Sequence, residues 1–220
     1  MTRNSGLLWS AGALCAALMA AAGAGLTETG NLGIFGGEGS VGQTPPGCQA
    51  HYDPAKGEYR ITGGGANMWN AADAFYFVWK QASGDMTLSA DVQWVGASTV
   101  NHRKAAVMIR QSLDAGSAYA DAVSHGDGLT SLQFRGAAGE QTYQVFTQVD
   151  GPARLRLVRQ GSRFTMFAGK ANEELKPVGP VEYVGLKDPV YVGLGVCSHV
   201  ATTVETAVFS NVKLEAAGTK

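Results

Sequence analysis

With 220 residues, 45% apolar and 16% charged, the chain can bury one sizeable core and is short for two domains. A formal net charge of -1 excludes the broad basic field of a nucleic-acid or anionic-membrane binder, and equally the charge excess of a disordered chain. The 30 glycines point to many tight turns rather than long helices.

Residues 1–24 form a distinct segment. Arg3 precedes an apolar stretch from Gly6 to Ala22, and Ala22-Gly23-Ala24 offers an A-x-A cleavage pattern. The stretch is marginal for a membrane span and has no flanking charge cluster, so a cleaved signal peptide is expected, with a retained anchor as the alternative. Leu14 ahead of Cys15 argues against lipid attachment. The expected location is therefore periplasmic or secreted, with membrane contact only through an uncleaved signal. Cleavage leaves Cys48 and Cys197 in an oxidising compartment, where a disulfide is expected, the alternative being two separate buried thiols.

Residues 25–57 read as a Gly/Pro-rich approach and first edge segment, closed by Thr44-Pro45-Pro46-Gly47. Gly37 to Gly42 matches G-x-G-x-x-G in form only, because a dinucleotide fingerprint follows a buried strand and opens a helix, whereas this run leads into a double proline. From Glu58 the apolar period is two. Met86, Leu88, Ala90, Val92 and Trp94 share one face, against Thr87, Ser89, Asp91 and Gln93 on the other. Similar runs follow at 105–110, 119–124, 130–135, 142–149, 154–159, 163–168, 190–197 and 206–214. Turn signals such as Gly126-Asp127-Gly128 and Asp150-Gly151-Pro152 separate them. Many short strands without a helix-length apolar stripe predict an all-β antiparallel sandwich or jelly roll spanning 58–214, followed by a tail at 215–220.

Several blocks carry a family resemblance. They are Thr62-Gly63-Gly64-Gly65-Ala66-Asn67-Met68-Trp69, Asp73 to Trp79, Gly84 to Leu88, Arg103 to Arg110, Gly128 to Arg135, Tyr191 to Val196 and Ala207 to Val212. In this order they resemble the bacterial concanavalin A-like family labelled regulation-of-enolase-type, whose members occur alone, behind secreted glycosidases or beside TolB-type propeller segments. The resemblance covers about Glu58 to Leu214. It implies a jelly-roll sandwich and, by analogy of fold alone, a tendency to bind carbohydrate.

Catalytic patterns are missing from the sequence. Retaining glycosidases of this architecture look like E-x-D-x-E on one strand, which puts three carboxylates on one face, and no such triplet is present. There is no G-x-S-x-G, and Ser198 and His199 would diverge on a strand. Cys197 and His199 share a face, but a core or bridged cysteine is the simpler reading. The polar constellation lies on the middle strands. Alternation puts His102, Lys104, Met108 and Arg110 on one face, Tyr119, Asp121, Val123 and His125 on another, and Gln133 with Arg135 on a third. If these runs are neighbours, their planar donors and acceptors suit sugar hydroxyls beside an aromatic ring such as Tyr119 or Trp69. The competing reading is an ion pair of Arg110 with Asp121 that satisfies two half-buried charges. Trp69 reads as a rim aromatic or a plug, Trp94 as core, and Asp73 as the tie of the turn before it.

The ligand-binding candidates are thus Arg110, Asp121, His125, Arg135, Gln133, His102, Lys104 and Trp69, with no catalytic residue and no metal ligand assigned. His102, His125 and His199 with Asp121 or Asp127 match no closed zinc motif. No cofactor is called for, and calcium held by Asp127 or Asp85 with loop carbonyls is the one option kept open. The expected function is an exported non-catalytic binding module for a glycan or related polyol surface. The alternatives are an envelope domain that binds a partner protein and, third, an unrecognised glycoside hydrolase.

Overall fold

A computed structural model describes Met1, residues 30–179 and residues 182–216. The expected signal segment, with Cys15, falls almost wholly within 2–29 and so outside the described residues. The described residues form strands and no helix. In chain order the strands begin with β1 (Gly37–Val41), β2 (Gln49–Asp53), β3 (Glu58–Gly65), β4 (Met68–Trp69), β5 (Ala72–Asp73) and β6 (Phe75–Ala82). Next come β7 (Met86–Val95), β8 (Lys104–Arg110), β9 (Tyr119–His125), β10 (Leu129–Arg135), β11 (Tyr143–Gln148) and β12 (Ala153–Gln160). The last are β13 (Arg163–Lys170), β14 (Lys176–Pro177), β15 (Glu182–Tyr183), β16 (Val190–Cys197) and β17 (Val200–Ala216).

Two antiparallel sheets face each other. The first has the order β1-β6-β16-β8-β9-β10-β11, and the second β14-β13-β12-β7-β17-β3-β2, with β15 also paired to β13. The fold is the expected all-β antiparallel sandwich. Alternation fills the space between the sheets. Leu88 and Val92 of β7, Leu155 and Leu157 of β12, and Val107 and Ile109 of β8 all point inward and are buried. Trp94 closes the β7 series, half-buried against this core, with the Arg103 guanidinium 4.4 Å from its ring centre. β17 changes register between Ser210 and Lys213. Asn211 takes up the irregularity at a φ of 51° and donates from Nδ2 to Asp91.

The middle of the first sheet is buried on both faces. Every residue of β8 and β9 is buried, and a short flap, the β4–β5 hairpin, folds over part of the outer face. Met68 of that flap is fully buried among Phe75, Phe77, Met108, Tyr119 and Val123, which makes a second, smaller core outside the sandwich. Gly65 lets the chain enter the flap. Its φ is +136°, and a Cβ there would sit 1.9 Å from the Ala74 carbonyl oxygen.

The two-sided burial corrects the disulfide expectation. Cys48 and Cys197 are free. Cys48 packs against the inter-sheet core, whereas Cys197 is on the outer face of β16 beneath the flap, so the thiols look to opposite sides of one sheet. Each thiol is near a carbonyl instead, Cys48 at 3.3 Å from Pro45 O and Cys197 at 3.4 Å from Gly65 O.

Candidate functional site

The pairing of β8, β9, β10 and β11 sets the outer face of the first sheet in rows. Lys104 is opposite His125, Met108 opposite Asp121, and Arg110 opposite Tyr119. Across the next ladder Asp121 meets Gln133 and Tyr119 meets Arg135, and beyond that Gln133 meets Gln144 and Ser131 meets Phe146. The strands assumed to be neighbours are therefore neighbours, in the register that puts the polar residues on one face. The flap then divides this face into a closed part and an open part.

Under the flap, Arg110, Arg135 and Asp73 form one buried charge cluster. Arg135 donates from both terminal nitrogens to the Asp73 carboxylate at 2.7 and 2.9 Å, and from Nε to the carbonyls of Asn70 and Glu140. Arg110 approaches Asp73 at 3.5 Å and donates to the carbonyls of Ser112 and Asp114. All three side chains have no exposed surface. The pairing of Arg110 with Asp121 weighed from the sequence is replaced by pairing with Asp73, because the flap brings Asp73 down onto the sheet. Asp121 is left with neither carboxyl oxygen hydrogen-bonded. Desolvation raises its pKa well above the usual carboxylate range, against the pull of Lys104.

Beyond the edge of the flap the face opens into a cleft of about 190 Å³. Trp69 and Asn67 of the flap form one wall, and Gln133 of β10 with Gln144 of β11 form the other. Lys104, His125 and Leu129 lie along the floor at the strand ends, and His102 and His199 come from the loops beside them. Five of the sequence candidates thus meet here: Trp69, His102, Lys104, His125 and Gln133. Arg110, Asp121 and Arg135 share the face but lie in the sealed part.

The cleft chemistry is one-sided. Lys104 is 3% exposed and donates from Nζ to Asn67 Oδ1 at 2.8 Å and to the Met68 carbonyl at 2.9 Å, with its ammonium 5.3 Å from the Trp69 ring centre. Burial lowers its pKa. His125 pairs through Nδ1 with the Leu129 carbonyl at 2.9 Å, so Nδ1 carries the proton of the neutral ring. Desolvation first, and the Lys104 charge second, push its pKa down to about 4. His199, in a left-handed conformation at φ 61°, is lowered for the same two reasons. The ring centres of His102 lie 5.9 Å from His125 and 5.5 Å from His199. Gln133 is 1% exposed and its Oε1 has no partner, nor has the Ser131 hydroxyl beside it. No Asp or Glu lines the cleft. Among the described residues no group of three or more His, Cys, Asp or Glu side chains is placed to hold a metal ion.

Sequence reasoning missed Asn67, Leu129 and Gln144 as cleft residues, and met His199 only as a metal or nucleophile candidate. The β10–β11 register would have found Gln144, since alternation puts it on the face of Gln133. Asn67 could not be found that way, because its position depends on the flap. Cys197 is no nucleophile here: burial raises its thiol to about 11, and it is covered by the flap.

No protein-family model and no curated relative matches the chain. Solved structures do. The chain is similar to a functionally unknown protein from Saccharomyces cerevisiae, with a TM-score of 0.60, 14% identity, and coverage of 80% of this chain and 95% of that one. It is also similar to the carbohydrate-binding module CBM66 from Bacillus subtilis, at TM-score 0.52 and 16% identity, covering 83% of this chain and 98% of that one. A third similarity, to the GH43 protein BlXynB from Bacillus licheniformis, has a TM-score of 0.56 and 12% identity and covers 76% of this chain but 36% of the enzyme. At such identities the likeness speaks for fold alone. The fold they share with this chain is an antiparallel jelly-roll β-sandwich.

Proposed function

We propose that the chain is an exported, non-catalytic module that binds a glycan in the cleft between the flap and β11. The observation that carries this reading is the lining itself. An indole, three imidazoles, two glutamine amides and an asparagine converge on one open recess, and the acceptor Gln133 Oε1 is buried there without a partner. Planar donors and acceptors at fixed positions beside an aromatic face suit sugar hydroxyls, and an unpaired buried acceptor is relieved by a ligand that donates to it. The fold shared with a carbohydrate-binding module, which this chain matches over most of its length, supports the same reading. The absence of an acid–base carboxylate from the lining favours binding over glycoside hydrolysis, since Asp121, the carboxyl on this face, is sealed from the cleft.

A glycan array probed with the folded protein is the test, followed by titration of the hits into Gln144→Ala. Gln144 is exposed on an edge strand, so this variant is expected to fold normally and to bind about tenfold more weakly, the equivalent of one lost hydrogen bond of about 1.4 kcal/mol. A blank array from well-folded protein would move the reading to a domain that recognises an envelope protein. Cleavage at Ala24, expected on export, is checked by N-terminal sequencing of the protein recovered from outside the cytoplasm.

A further inference from the structure

We infer that the cleft selects sugars that carry an anionic substituent, a carboxylate or a sulfate ester, over their neutral counterparts. The inference rests on the glycan-binding reading and names its ligand class.

The charge inventory of the cleft is the first observation. Its lining holds one ammonium, Lys104, and three imidazoles, with no carboxylate among them. The nearby acid Asp73 is already shared by Arg110 and Arg135, and Asp121, whose charge acts on Lys104, makes no salt bridge with it. Lys104 is therefore a nearly buried cation without an ion-pair partner among the described residues. An ammonium has three donors, and two are used by Asn67 and Met68. Taking a cation out of water without a counter-charge is costly, and a ligand that brings the counter-charge recovers that cost on binding.

The unmet acceptors are the second observation, and they distinguish a sugar from a bare anion. Gln133 Oε1 is buried and unpartnered, and His125 Nε2 is the acceptor nitrogen of a ring whose Nδ1–H is given to Leu129. Inorganic phosphate or sulfate at neutral pH has few or no protons to offer them. An acidic sugar residue supplies both halves, its anionic group toward Lys104 and its hydroxyls toward Gln133 and His125, with its ring against Trp69. The overall net charge of -1 gives no general attraction for polyanions, so such a preference would come from the cleft itself.

Two matched pairs of probes test this: oligogalacturonate against its carboxyl-reduced neutral form, and dextran sulfate against dextran. Binding is measured by calorimetry at fixed ionic strength. The expected result is that the charged member of at least one pair binds ten or more times more tightly than its neutral partner. The pair that shows it separates a carboxylate preference from a sulfate preference. Lys104→Gln should then shrink the ratio toward one while residual binding of the sugar persists. Because Lys104 also holds the flap, the wild type is measured alongside at rising salt, which should shrink the ratio without a change in the fold. Equal affinity for charged and neutral members overturns the charge selectivity and leaves the glycan reading standing. No binding of any probe, together with a blank glycan array, overturns both.

Discussion

The two titratable groups at the heart of the outer face, His125 and Asp121, are both shifted by burial toward their neutral forms, and they act on stability with opposite signs. His125 has its pKa pushed down to about 4 from 6.5. The unfolded chain therefore binds the proton first, so the stabilisation from keeping this ring neutral is complete above pH 6.5 and is lost as pH falls toward 4. A shift of that size corresponds to about 3 kcal/mol. Asp121, raised well above 3.8, works the other way, because acidification removes its penalty. Asp73 is also raised, by desolvation, and shares that sign. The net slope of the protein thus understates each part. The difference between wild type and His125→Gln isolates the histidine: between pH 7 and 4.5 the variant should gain on the wild type by about 2 to 3 kcal/mol in urea unfolding. A difference that stays flat with pH would mean that the folded protein accepts a proton on His125 as readily as the unfolded chain does.

At the scale of elements, the flap is the feature that turns a sheet face into a site. The two-residue strands β4 and β5 have too little length to hold themselves, and they are fastened by Met68 in the outer core and by Asp73 between two guanidiniums. Asp73→Asn removes the counter-charge of Arg110 and Arg135 while conserving shape. Breaking one side of a buried ion pair leaves uncompensated charge, and the expected loss is about 3 to 5 kcal/mol, read as a lower urea midpoint. A loss below about 1 kcal/mol would show that the carbonyls around the two arginines suffice without Asp73. The same element marks the limit of what the sequence discloses. The long strands were legible because period-two alternation is a local property, whereas the adjacency of β8, β9 and β10, which the sequence supplied only as a condition, is shown by their ladders. The flap was not legible, since two-residue strands carry no periodicity. Asp73 meets Arg135 across 62 positions of sequence, so its role as a counter-ion has no local trace. The pairing of Cys48 with Cys197 failed for a related reason: spacing says that two thiols can be close, but not that they face opposite sides of a sheet.

For the whole molecule, the glycine-rich approach is part of the fold. β1 adds to the first sheet beside β6, and β2 adds to the second beside β3, so this stretch completes one edge of both layers. Glu38 ties them together: its Oε2 accepts from the Ala50 amide of β2 and from the Tyr76 hydroxyl of β6, each at 3.0 Å. Ahead of β1, Leu32 and Phe35 are buried in the inter-sheet core, and the Ile34 amide donates to the Tyr59 hydroxyl at 2.9 Å. A chain shortened to begin at Glu58 would expose the facing parts of Tyr59, Ile61 and Val78 and strip the partner strands from β3 and β6. Burial of Leu32, Phe35 and Val41 alone is worth about 1.5 to 3 kcal/mol each, which together reaches the full stability of an ordinary domain. The shortened chain is therefore expected to lose cooperative unfolding and to bind a dye for exposed apolar surface. A sharp, undiminished transition in the chain from Glu58 would instead place the stability of the sandwich wholly in its central strands, with β1 and β2 as appendages to it.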